Sequence, residues 1–434
     1  MGRLLLLGGL IYGLFFVGLA TLSGGLLALA LPLAVYLAAA LLYAPEPPRL
    51  RIVRELSSER IMPGAAVEVK LSLRNEGRQL EEVLVEDILP QALDCTDGEV
   101  SKVVVLPPDQ AVELTYSVKG PRGRYEFKHT RVTAGDHLGV FRRQVTLASP
   151  GAFIVLPEVL RMRQVAIRPL RTRASTGLIP ARLGGPGIEF FGVREYQSGD
   201  SLRWINWRVT ARQPRRIFTN EFEQERIADV GLILDARLRS DVRWQGASLF
   251  EHSVRATAAL AEVFLHDANR VALLVYGSGL NLVFPGYGHV QRERIMQALA
   301  RAQTGESEVF ESLEYLPTRL FPARSQIVLV SPLADDDLPM LVRLRAHGYE
   351  LLVISPDPVA FENCASILQD GALPAQPDVA LAGRIARLER AVMLSRLRQT
   401  GAQIVDWRVD QPFDRAVLAS LGRVPRLVRA GRPG

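Results

Sequence analysis

Within the stretch 184–235, six arginines (Arg194, Arg203, Arg208, Arg212, Arg215 and Arg216) and six carboxylates (Glu189, Glu195, Asp200, Glu221, Glu223 and Glu225) share residues 184–225. A guanidinium grips a carboxylate or phosphate with two parallel hydrogen bonds. Such a stretch therefore either braces its own fold with ion pairs or offers charge to a partner. Phe190, Phe191, Tyr196, Trp204, Ile205 and Trp207 are interleaved with these charges. Tryptophan, tyrosine and arginine dominate the energetics of protein interfaces. The same mixture could stack nucleic-acid bases, but six carboxylates make a poor phosphate groove, so no nucleic acid is expected. The remaining reading is structural, with the aromatics covering a junction between domains and the ion pairs fixing its geometry. A junction that also presents a partner surface satisfies both.

Catalytic chemistry finds little support. Ser198-Gly199-Asp200-Ser201 joins hydroxyls to a carboxylate without a neighbouring histidine, and Gly199-Asp200 reads as a tight turn. The lysines are Lys70, Lys102, Lys119 and Lys128. A phosphate-binding loop of the G-x-x-x-x-G-K-[ST] type is therefore absent, and the C-terminal part has no lysine for Schiff-base chemistry. Cys95 and Cys364 stand far apart, with no disulfide framework or zinc spacing. The six histidines form no H-x-x-x-H pair, and the formal charge of +6 is almost wholly arginine. No catalytic residue and no cofactor is expected.

The elements that position this stretch follow from periodicity. Residues 4–43 are apolar and uncharged, broken at Ser23-Gly24-Gly25. About 20 apolar residues cross a bilayer as a helix, so two crossings are expected over 4–22 and 26–43, within a hairpin at 1–48. Arg3 on one side and Arg49, Arg51 and Arg54 on the other place both ends in the cytoplasm by the positive-inside rule. The expectation is a multi-pass protein of the inner membrane with cytoplasmic soluble domains. Over 49–157 the period becomes two, as in residues 67–73 and 112–118, with turns at Pro63-Gly64 and Asn75-Glu76-Gly77. An all-β, immunoglobulin-like sandwich is expected there. An arginine-rich linker and the charged stretch fill 158–228. Apolar strands at 230–234, 271–276, 327–330 and 351–354 then alternate with helical segments, which predicts a doubly wound, Rossmann-type parallel sheet over 229–434. Ligands of such sheets sit at the carboxyl ends of the strands, where Asp235 falls.

The ordered run of Gly187, Glu189, Phe190, Gly192, Arg194, Glu195, Tyr196, Gly199, Asp200, Arg203, Ile205, Trp207, Ala211 and Arg212, followed by a glutamate-rich segment and a strand ending in aspartate, resembles the bacterial domain of unknown function 58 family. The segment Gly135–Arg143 is similar to a turn of that family, with His137 where proline is usual. The resemblance implies that the α/β part is a von Willebrand factor A-like domain. It also implies company: a MoxR-type AAA+ ATPase, a transglutaminase-like membrane protein and the lipid bilayer, with the chain acting as a membrane-tethered adaptor. Its site residues would be Glu189, Arg194, Glu195, Tyr196, Gly199, Asp200, Arg203, Trp204, Trp207, Arg212 and Glu221. Domains of the A type often bind Mg²⁺ through D-x-S-x-S after the first strand. Here the run is Asp235-Ala236-Arg237-Leu238-Arg239, and a guanidinium has no lone pair for a metal. No Mg²⁺ is expected; Asp235 should pair with Arg237, Arg239 or an arginine of the signature, while Asp335, Asp336 and Asp337 should begin the next helix. The opposed expectation is a membrane-bound hydrolase acting on envelope material.

Overall fold

The computed structural model describes residues 2–42, 48–135, 142–162, 165, 172–213, 215–244, 246–277, 279–307, 313–317, 320–367 and 377–421. Within these, the side chains of 2–4, 172–189, 191, 222–226, 315, 363–367 and 377–380 are not described. The chain divides into two compact units, Met1–Leu156 and Pro157–Gly434.

The first unit opens with two apolar helices, α1 (Gly2–Ala20) and α2 (Gly24–Leu42). They turn back on each other at Leu22, whose φ is +53°, and Ser23 N–H closes the turn on the Gly18 carbonyl at 3.0 Å. A side chain at Gly18 would lie 3.1 Å from Leu27, so the glycine permits the close approach of α2. Helix α2 is long and apolar enough to cross a membrane; the described apolar part of α1, Leu5–Ala20, is shorter.

Alternating residues then build two sheets. The strands are β1 (Leu50–Leu56), β2 (Arg60–Ile61), β3 (Val67–Asn75), β4 (Leu80–Asp87), β5 (Asp94–Gly98), β6 (Ser101–Leu106), β7 (Ala111–Lys119), β8 (Gly123–Gly135) and β9 (Arg142–Val155). Their orders are β1-β3-β7-β5 and β2-β9-β8-β4-β6. In β3 the inward set Val67, Val69, Leu71 and Leu73 is buried while Glu68 is exposed. It shares one apolar core with Val83 and Val85 of β4 and Phe127 and Val132 of β8. Residues 136–141, which include His137, lie outside the described residues.

The second unit is α/β. Its first strands are β10 (Thr172–Glu195) and β11 (Phe218–Asp235), with the one-turn helix α3 (Trp207–Thr210) between them. The rest are β12 (Arg243–Trp244), β13 (Ala247–Ser248), α4 (Leu249–His266), β14 (Arg270–Tyr276), β15 (Leu280–Gly286), α5 (Gly288–Arg301), β16 (Gln326–Val330), α6 (Leu338–Ala346), β17 (Glu350–Pro356), α7 (Pro358–Ile367), α8 (Pro377–Gln399), β18 (Gln403–Trp407) and α9 (Phe413–Leu421). The main sheet runs β15-β14-β11-β16-β17-β18, with β15 antiparallel and its companions parallel. Ile233, Leu274, Leu329 and Val353 join Leu341, Leu394 and Leu397 of the helices in its core.

Strand β11 has two jobs. Residues 218–228 pair antiparallel with β10, and residues 229–235 pair parallel with β14 and β16 as the central strand. The expected boundary at 228/229 thus falls inside one continuous strand, and residues 172–195 of the expected linker are strand β10. The signature is consequently built onto the sheet. Chain order reverses between β11 and β16, which makes their carboxyl ends the switch point of the sheet.

Candidate functional site

The charged residues of the signature and of the sheet's switch point fall into two clusters. The first is the turn that follows β10. Gly199 has φ +109°, a conformation that side chains disfavour, and it lets Asp200 N–H reach the Gln197 carbonyl at 3.0 Å. The turned-back Asp200 carboxylate accepts two hydrogen bonds from Arg194, at 2.8 and 2.7 Å, and a third from the Gln197 amide at 2.8 Å. Arg194 Nε also faces Glu221 Oε1 at 3.4 Å. These bonds, the Arg194 ones foremost and the Gln197 amide next, hold the Asp200 carboxyl below the usual carboxylate range. They raise the Arg194 guanidinium in turn, chiefly through Asp200. Tyr196 donates its hydroxyl to the Asp200 carbonyl at 3.2 Å.

The segment beyond the turn is stitched to β11. Asn206 N–H donates to the Phe218 carbonyl at 2.8 Å, and Asn206 Nδ2 to Asn220 Oδ1 at 2.7 Å. Asn206 also caps α3, accepting from Val209 N–H at 3.1 Å. Thr219 Oγ1 donates to the Trp204 carbonyl at 3.2 Å, and Thr210 Oγ1 accepts from Phe218 N–H at 3.0 Å. Ile205 is buried and Trp204 half-buried beneath the guanidinium of Arg203, which lies 5.5 Å from its ring centre.

With its backbone fixed, this module leaves large apolar groups in water. Trp207 is 70 % exposed, Leu202 69 % and Phe190 61 %. Around them Arg203, Arg208, Arg212, Arg215 and Arg216 are exposed, and Glu195 pairs with Arg216 at 3.5 Å. The sequence assigned eleven residues here. Arg194, Tyr196, Gly199, Asp200 and Glu221 meet in the turn; Glu195, Arg203, Trp207 and Arg212 are exposed; Trp204 is half-buried; the Glu189 side chain lies outside the described ones. Asn206, Thr210, Thr219 and Asn220 were missed. Their signal is weak, although an asparagine ahead of a short helix suggests a cap.

The second cluster lies at the switch point. Asp235 closes β11 with its side chain fully buried. Its Oδ1 accepts from Arg237 N–H at 3.1 Å and Nε at 2.8 Å. Its Oδ2 accepts from Arg237 Nη2, Ser240 Oγ and Ser331 Oγ, each at 2.6 Å. The other side of the Arg237 guanidinium meets Asp337 at 2.8 and 2.9 Å. Arg239 adds a bond to Asp337 at 3.0 Å and one to Asp336 at 2.7 Å. Burial by itself would lower the Arg237 pKa; the hydrogen bonds to Asp235 and Asp337 outweigh it and the net direction is upward. Burial also pushes the neighbouring Tyr276 phenol up to about 12.

Arg237 is thus the partner of Asp235 among the three that the sequence offered. Asp335–Asp337 do form a short helical turn ahead of α6, but Asp337 is turned inward onto Arg237. The donor set around Asp235 does not fit Mg²⁺, because a guanidinium with no lone pair fills the space between the carboxylates. Among the described residues, no three His, Cys, Asp or Glu side chains are grouped to hold a metal ion.

Comparison with known proteins places this architecture in context. Residues 192–361 match the family described as "Protein of unknown function DUF58". An uncharacterized protein, YeaD, from Bacillus subtilis (strain 168) is 25% identical over 293 residues, which cover 66% of this chain and 71% of that protein. Among solved structures, a CARDB domain from Pyrococcus furiosus, determined with di-metal ions, is 16% identical over 26% of this chain and 90% of its own, at a TM-score of 0.19. A FixG-related protein from Vibrio parahaemolyticus is 12% identical over 26% of this chain and 98% of its own, at a TM-score of 0.17. Scores of that size carry no argument about fold or function.

Proposed function

From the premise that this chain belongs, through residues 192–361, to the family of unknown function DUF58, we propose that it is a membrane-tethered adaptor whose signature module docks a MoxR-type AAA+ ATPase. The observation that carries the reading is the exposed Trp207. It stands on a helix whose backbone is pinned by Asn206, Thr210 and Thr219, beside arginines that face water. An exposed tryptophan on a rigid support, ringed by guanidiniums, suits an acidic protein surface with a pocket for the ring. We assign the chain no catalytic step.

The finer architecture belongs to the same proposal. The N-terminal helices are read as a two-crossing hairpin in the inner membrane with both ends in the cytoplasm, supported by the apolar run and its flanking arginines. The two sheets of the first unit are read as an immunoglobulin-like sandwich, supported by their pairing around one core, antiparallel but for β2 against β9. The second unit is read as von Willebrand factor A-like, supported by its central β11 and antiparallel β15 edge. A transglutaminase-like membrane protein is the further partner. Binding of the purified ATPase to full-length protein in nanodiscs tests the reading: micromolar or tighter association is expected, and none at tens of micromolar would refute it.

A further inference from the structure

We propose that Arg237 is a built-in cation occupying a latent divalent-cation site at the switch point of the sheet, so that this edge is permanently in its cation-loaded form and needs no metal. The inference rests on the cluster alone and is independent of the adaptor reading.

The guanidinium lies between two carboxylates, one of which also accepts from two serine hydroxyls, and these four groups come from separate parts of the chain. Asp235 ends β11, Ser240 follows in the next turn, Ser331 follows β16 and Asp337 precedes α6. All of them present oxygen, the ligand type that hard divalent cations take. Arg237 Nη2 lies between Asp235 Oδ2 at 2.6 Å and Asp337 Oδ2 at 2.9 Å. Metal–oxygen bonds of about 2.1 Å would require each of these two carboxylate oxygens to close in by less than about 1 Å. The side chains of Asp235 and Asp337 are 0% and 1% exposed, and that of Arg237 is 4%. Two carboxylates this deeply buried need a positive charge between them.

An arginine side chain differs from a bound ion in one decisive way: it cannot leave. Arg237 is two residues from Asp235, and its own N–H joins the same carboxylate. Its loop is clamped to Gly305, with Leu238 N–H on the Gly305 carbonyl and Gly305 N–H on the Ala236 carbonyl, both at 3.1 Å. Arg239 completes the neutralisation from the rim. The shape of this edge therefore does not follow the free Mg²⁺ concentration.

The test is thermal unfolding of the full chain in detergent, in EDTA and in millimolar Mg²⁺ or Mn²⁺. Wild type should move by less than about 1 °C, because its site is filled. Arg237→Ser should melt about 10 °C lower in EDTA and regain at least half of that loss with Mn²⁺, through the two carboxylates it uncovers. The Arg237→Ser, Asp337→Ser pair, freed of one carboxylate, should be more stable than the single variant in EDTA and silent to metal. Should Arg237→Ser prove insoluble while the pair is soluble, the neutralising role stands. A wild type stabilised by several degrees on adding metal would overturn the inference, as would an Arg237→Ser protein indifferent to Mn²⁺, or a pair no more stable than the single variant.

Discussion

Arg194 and Asp200 are joined by two parallel hydrogen bonds of 2.8 and 2.7 Å, and this pair closes the turn from which the exposed aromatic module projects. The carboxyl group is held below its ordinary pKa by Arg194 first and the Gln197 amide second. A depressed folded-state pKa gives a contribution that is full above the unfolded value of about 3.9 and is lost as pH falls through the folded one. Relative to its intrinsic rate at each pH, amide exchange at Gln197 should therefore quicken in acid below pH about 4. Asp200→Asn should show the faster exchange already at neutral pH, with the rest of the sheet unchanged.

The regular parts of this architecture were legible and the reasons are plain. Strands β3 and β7 alternate, and β14, β16 and β17 are unbroken apolar runs of the kind buried on both faces. Strand β5 was missed because its run, Asp94–Gly98, is polar and exposed throughout. Helix α5 was missed because it is polar overall, although its buried Gln291, Ile295, Met296 and Leu299 keep helical spacing. Strand β10 was hidden by glycines and two prolines that ordinarily mark loops. At the site, Gly199-Asp200 announced a turn, but six carboxylates competed for Arg194. The Asp337 partner of Arg237 lies 100 residues away, a distance that no local pattern spans.

The close approach of Gly277 to the loop bearing Arg237 offers a second test. A Cβ there would sit 2.3 Å from the Ala236 carbonyl oxygen, a backbone atom that is itself bonded to Gly305. Gly277→Ala should cost about 1–3 kcal/mol, read as a lowered midpoint in urea. Gly279→Ala, where nothing lies within 4 Å, should change little.

The first unit contains its own buried ion pair. Arg54 Nη2 meets Asp87 at 2.8 Å with both side chains fully buried, and Thr130, Ser149 and Tyr116 complete the network. Burial, then the bond to Asp87, raises the Tyr116 phenol far above its usual value. Asp87→Ala strands a buried guanidinium and should destabilise this unit by about 3–5 kcal/mol, whereas Arg131→Ala, which removes a half-exposed partner of Glu86, should cost less than about 1 kcal/mol. Chemical denaturation of the two variants decides the matter.

His252 packs edge-on against Phe361 and Trp407, with ring centres 5.9 and 6.2 Å away. Burial lowers its pKa, Arg255 lowers it further, and Glu251 and Glu158 oppose them. The unfolded chain then takes up a proton more readily than the folded one, so stability is full above about pH 6.5 and declines as pH falls below it. His252→Gln should flatten that slope in urea titrations between pH 5 and 7.

The adaptor account stands or falls on the surface that Trp207 presents. The decisive measurement is a pull-down from detergent-solubilised native membranes with wild type, Trp207→Ala and Arg203→Glu, each checked for native unfolding midpoints. The account predicts that a MoxR-type AAA+ ATPase is enriched by wild type and reduced at least tenfold by either folded variant. Equal enrichment by all three, or no such ATPase with any of them, would contradict it.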